Sequence, residues 1–69
     1  MNETTKAKVP IWEKANLTIE EAAGYFNMGT GKIRELTDDK NCNCVLWNGS
    51  KRLIKRKPFE DYLNRQFSI

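Results

Sequence analysis

Two β-leaning runs, CNCVLW and SKRLIKR, meet around the dipeptide Asn48-Gly49, and no other feature constrains the fold of this chain as strongly. Asn-Gly tolerates the positive φ angles that a tight antiparallel connection demands, so the segment predicts a β-hairpin. Its register admits two readings. A two-residue loop groups Cys44, Leu46 and Leu53 on one face, with Val45, Trp47, Arg52 and Ile54 on the other. A three-residue loop instead sets Cys44 and Leu46 beside Arg52 and Ile54, and is slightly preferred.

Upstream, LTIEEAAGYF opens with Thr18 followed three residues later by Glu21, the spacing of a capping box. Glu20 and Glu21 suit the positive end of a helix dipole, and Ile19, Ala22, Ala23 and Phe26 recur at the helical period. Ala22 and Ala23 are small enough to let another helix approach closely. Asn27-Met28-Gly29 then breaks the helix: Asn tolerates a left-handed end, and Gly29 serves as the next N-cap. A second helix is expected from about Thr30 to Asp38, with Ile33 and Leu36 facing inward. Such a pair is either a helix-turn-helix or an αα-hairpin used only for packing.

The ends complete the plan. Residues 1–8 are polar and aperiodic and read as a flexible arm. VPIWE is expected to be a short extended piece whose Ile11 and Trp12 tie that arm to the core. KPFEDYLNRQFSI predicts a terminal helix with Pro58 at its first position and an apolar stripe of Phe59, Tyr62, Leu63 and Phe67. On the helix-turn-helix reading, the expected fold class is α+β: a small winged helix-turn-helix over residues 9–69, with a short N-terminal strand, two helices, a hairpin wing and a C-terminal helix. A chain of 69 residues supports one such domain with a modest core.

Charge placement points to a partner. The net charge is only +3, but eight basic residues between Lys32 and Lys57 face three acidic ones. A surplus gathered in one segment suits a nucleic-acid or other anionic surface. Catalysis finds little support: the chain has no His, no Gly-rich phosphate loop and no paired carboxylates placed for acid–base work. Cys42 and Cys44 are too few for a closed zinc site and too close for an easy disulfide, so they read as half-buried packing thiols in a reducing compartment. No catalytic residue, metal or cofactor is expected. No apolar run approaches the ~20 residues of a membrane span, and a cytoplasmic location is expected.

The basic elements then divide into three groups. The outward face of the second helix presents Thr30, Gly31, Arg34 and Glu35, with Lys32 flanking. Such a face can enter a major groove, where Gly31 permits close backbone approach and Arg34 can grip a guanine bidentately. Asn48, Ser50, Lys51 and Arg52 form a wing that can ride the backbone or enter a minor groove. Lys55, Arg56 and Lys57, joined by Thr18 and Tyr25, are expected to contact phosphates and set register rather than sequence. The bland reading of each group is a solvated charged surface.

Together, LTIEEAAGYFNMGTGKIREL and NGSKRLIKRKPFEDYL resemble the small excisionases of conjugative transposons, within the excisionase-type, MerR-like winged-helix group. The similarity runs from about Pro10 to Leu63. The first helix alone is shared by many MerR-like domains, whereas its combination with NG and IKRK-FE is more specific. Many relatives in the wider group carry Gly where this chain has Asn27, and Ser or Thr where it has Gly29. The resemblance implies binding to repeated sites near the ends of a mobile element, DNA bending, and cooperation with a tyrosine-type integrase that drives excision. It places the recognition helix at Thr30 to Leu36 and the wing at Trp47 to Arg52. The expected partners are double-stranded DNA and the integrase, with a monomer in solution and several copies assembling on DNA. Two other readings compete. A small MerR-like transcriptional regulator would use the same fold, although the long coiled coil or effector domain that such regulators append is missing. A protein-interaction module would dock its C-terminal stripe on a partner helix.

Overall fold

The computed structural model describes residues 9–69, so the arm expected over residues 1–8 lies outside the described part. After Pro10, Ile11–Glu13 form a single 3-10 turn rather than the expected extended piece. It is closed by Glu13 N–H to the Pro10 carbonyl at 3.0 Å and Lys14 N–H to the Ile11 carbonyl at 3.1 Å. Pro10 is extended, but its fixed φ also suits the entry to a helical turn. With three residues per turn, Ile11 packs against the core while Trp12 swings away and stays 63% exposed, so only Ile11 anchors this segment. The N-terminal strand β1 comes later, at Asn16–Leu17.

Helix α1, Ile19–Phe26, starts as its sequence requires. The Thr18 hydroxyl accepts from Glu21 N–H at 3.1 Å, and the Glu21 carboxylate accepts from Thr18 N–H at 3.0 Å. A capping box of this kind stabilises a helix start by about 1 kcal/mol. The same carboxylate meets Lys14 Nζ, and that hydrogen bond is the largest cause holding the Glu21 carboxyl below its ordinary value. The stabilisation from Glu21 is therefore present at neutral pH and is lost only as pH falls through that lowered value.

At Asn27 the chain turns left-handed, φ 61° and ψ 49°, which ends α1 without a glycine. Gly29 is the N-cap of α2, Thr30–Asp38, where Ile33 is fully buried and Leu36 packs on the core as expected. Thr37 joins them as a buried polar residue whose hydroxyl donates to the Ile33 carbonyl at 2.7 Å. Cys42 and Cys44 are more deeply buried than expected, and they sit in the segment before the hairpin rather than on a strand. Burial first, and then the neighbouring Cys44 thiol, push the Cys42 pKa up to about 12, so the thiol stays neutral and packs as a small apolar group.

The hairpin consists of β2, Val45–Asn48, and β3, Lys51–Lys55, in a three-stranded antiparallel sheet ordered β1-β3-β2. Asn48 pairs with Lys51, Trp47 with Arg52, Leu46 with Leu53 and Val45 with Ile54. The loop is therefore two residues, Gly49 and Ser50, which corrects the preference for three. Gly49 has φ 64° whereas Ser50 is not left-handed, the pattern of a II′ turn, which matches strand twist without an extra residue. In this register Val45 and Trp47 share a face with Ile54, and Leu46 stays exposed.

Helix α3 covers Arg56–Asn64, so Pro58 occupies the third position rather than the first. The move costs little, because the first four N–H groups of a helix lack intrahelical acceptors. Phe59 is fully buried, and Tyr62 and Leu63 pack beside it. Phe67 falls beyond the helix end and is fully exposed, so it leaves the expected stripe. The core gathers Leu17, Ile19, Ala22, Ile33, Ile54 and Phe59 with the two thiols. Three helices over a small antiparallel sheet with a projecting hairpin make the expected small winged helix.

Candidate nucleic-acid interface

The helix pair and the hairpin bound one open groove of about 410 Å³, lined among others by Thr18, Arg34, Trp47, Ser50, Lys51 and Arg52. Several structural devices bring these residues together. Thr18 is there because the capping box stations it at the start of α1. Arg34 follows Ile33, whose burial turns the next position of α2 outward. Ser50 and Lys51 come with the two-residue turn. The groove thus unites expected contacts from the first helix, the recognition helix and the wing.

Within α2, Thr30, Gly31, Arg34 and Glu35 are exposed as expected. Lys32 is half-buried: its Nζ lies 3.5 Å from Glu35 Oε1 and donates to the Ile69 carbonyl at 3.0 Å. Among the described residues the Arg34 side chain has neither a hydrogen-bond nor an ion-pair partner, which leaves its guanidinium available. A Cβ built on Gly31 meets nothing within 4 Å, so no neighbour within the fold requires a glycine there.

Two of the expected arginines meet acceptors within the fold. Arg52 turns toward α2: it donates to the Thr37 hydroxyl at 3.0 Å and the Arg34 carbonyl at 3.3 Å, and meets Asp38 Oδ1 at 2.9 Å. It also lies 5.2 Å from the Trp47 ring centroid. Arg56 donates through Nε to the Lys14 carbonyl at 2.7 Å and stands 3.9 Å from Glu60, tying α3 to the segment before β1. Both guanidiniums are engaged within the protein.

Lys55, Arg56 and Lys57 line a second hollow of about 510 Å³, beside Asn16 and the start of α3, rather than the first groove. Asn48 is exposed at the wing, and Tyr25 is partly exposed with its ring edge-on to Phe26 at 4.9 Å; neither lines the groove. The sequence reading set Trp47 at the start of the wing but gave it no contact, and it missed Thr37 and Asp38 as holders of Arg52.

No cluster of three or more His, Cys, Asp or Glu is placed to hold a metal ion among the described residues. Nor is any helix there long and apolar enough to cross a membrane.

Residues 1–69 match a family model described as the excisionase from transposon Tn916. A protein of Streptococcus agalactiae serotype V with the same description is 47% identical over 57 residues, covering 81% of this chain and 85% of that protein.

Proposed function

The chain belongs to the Tn916 excisionase family, and from that premise we propose that it is an accessory factor that binds and bends double-stranded DNA. On this reading it occupies repeated sites near the ends of a mobile element and directs a tyrosine-type integrase toward excision. One observation carries the proposal: a single groove unites Arg34 of α2, Ser50 and Lys51 of the wing, and the Thr18 cap. That combination gives a base-reading cation, a phosphate-seeking cation and two hydroxyl donors on one surface. Arg34 reads bases from the exposed face of α2, with Thr30, Lys32 and Glu35 around it. Asn48, Ser50 and Lys51 carry the wing contact, and Lys55 and Lys57 serve as a separate phosphate clamp at the start of α3. Arg52 and Arg56 act from within, by holding those elements in place.

A gel-shift series with the binding site permuted along the fragment tests the reading directly. Mobility that varies with site position is expected for a bent complex. Binding without site preference on DNA from the element's ends would sink it. With Lys51, Lys55 and Lys57 as the cations on phosphate, log Kd should change with log salt by a slope of magnitude about 3.

Gly31 supplies a test in which stability and affinity move in opposite directions. Gly31→Ala meets open space and improves helix propensity by about 1 kcal/mol, so the denaturation midpoint should rise. If α2 lies against a groove floor at this point, the added methyl weakens specific binding at the same time. Gains in both quantities would place Gly31 away from DNA.

A further inference from the structure

We propose that Trp47 is a further DNA-contacting residue, supplying the wing with an apolar, salt-independent contact to the sugar faces between phosphates. The inference deepens the DNA-binding reading above and rests on it. Trp47 is 58% exposed on β2 and lines the same groove as Thr18, Arg34, Ser50 and Lys51. An indole this exposed forfeits much of the burial that makes tryptophan favourable in a core. Its orientation is nevertheless held. The ring sits opposite Arg52 across the strand pair, with the guanidinium 5.2 Å from its centroid. That guanidinium is fixed in turn by Thr37 at 3.0 Å and Asp38 at 2.9 Å on α2. One face of the indole is thereby positioned by the recognition helix while the rest stays in water. A large, oriented apolar surface flanked by two hydroxyls and three cations, against the single carboxylate of Glu20, suits a partner that alternates apolar and anionic groups, as a nucleic-acid backbone does. Trp12, the chain's other tryptophan, is also exposed but does not line the groove, and so provides an internal control.

The test uses the full chain with one tryptophan at a time, titrated with a duplex spanning an end of the mobile element. In Trp12→Phe, which keeps Trp47, emission should shift or quench on binding; in Trp47→Phe, which keeps Trp12, it should not. Trp47→Ala should weaken specific binding about tenfold with the salt slope unchanged, because an apolar contact releases no counterions. Lys51→Ala should instead lower the slope by about one. Unchanged Trp47 emission in a complex that Lys51→Ala still weakens would overturn the inference and leave the DNA reading standing. A Trp47 signal that appears only after integrase is added would overturn it in favour of a protein contact. Failure of every form to bind the duplex would remove the DNA reading, and this inference with it.

Discussion

Phe59→Ala is expected to cost about 3–5 kcal/mol and to leave much of the chain unfolded at ambient temperature. Phe59 is fully buried and takes Phe26 edge-on at 5.0 Å and Tyr62 stacked at 6.0 Å. Truncation removes the largest fully buried side chain together with two aromatic pairs, each contributing roughly 0.5–1.5 kcal/mol beyond area burial. The residues left around the void come from separate elements, Phe26 from α1 and Tyr62 from α3, so collapse onto it would require both helices to move. A domain of this length has a total stability on the order of 3–10 kcal/mol. The loss is thus comparable with the whole, and DNA binding should vanish with it. Urea denaturation followed by tryptophan fluorescence checks this. A midpoint corresponding to less than about 1 kcal/mol of loss would show that α3 is dispensable to the core.

Which parts of this fold were legible in the sequence follows from how local their causes are. The start of α1 rests on contacts between Thr18 and Glu21, three residues apart, and the left-handed end rests on Asn27 alone, so both were readable. Asn27 meets the backbone demand by tolerating φ 61°. The hairpin was legible from Asn48-Gly49, but its register was not. That register depends on which residue takes the positive φ, and the structure gives it to Gly49 alone of the loop. The 3-10 turn at Ile11–Glu13 was missed because Pro10 is compatible with both an extended chain and a turn, and the packing of Ile11 decides between them. Phe67 fits the period of α3 but lies past its end; periodicity does not report where a helix stops.

The candidate site was legible in a parallel way. Exposure of Thr30, Gly31, Arg34 and Glu35 followed from burying Ile33, a local argument. The fates of the arginines did not. A basic run marks where positive charge is, but it does not say which guanidiniums find acceptors elsewhere in the fold. Arg52 is captured by residues 14 to 18 positions away on α2, and Arg56 by a carbonyl 42 positions away. Of the run Lys51 to Lys57, the lysines have no side-chain partner among the described residues, whereas both arginines do.

Arg52→Ala should therefore weaken site-specific binding by about tenfold or more without changing the salt slope. Among the described residues its guanidinium ties the wing to α2, meeting a hydroxyl, a carbonyl and a carboxylate there. Removing it frees the hairpin to swing relative to Arg34, so the two proposed contacts on one DNA site would lose their common register. The direct cost to folding is smaller, about 1–2 kcal/mol. Asp38 is well exposed and its ion pair is weak, while the Thr37 hydroxyl keeps its bond to the Ile33 carbonyl. Asp38→Asn separates this positioning role from a direct phosphate contact by the sign of its effect. That substitution raises the net charge from +3 by one and releases Arg52 from its carboxylate. A phosphate-contacting Arg52 would then bind all DNA more tightly, and Arg52→Ala would lower the slope by about one. A positioning Arg52 predicts the opposite sign at the specific site alone: affinity there falls while affinity for random duplex holds or rises. Competition assays with specific and random duplexes at several salt concentrations read both quantities from one set of titrations.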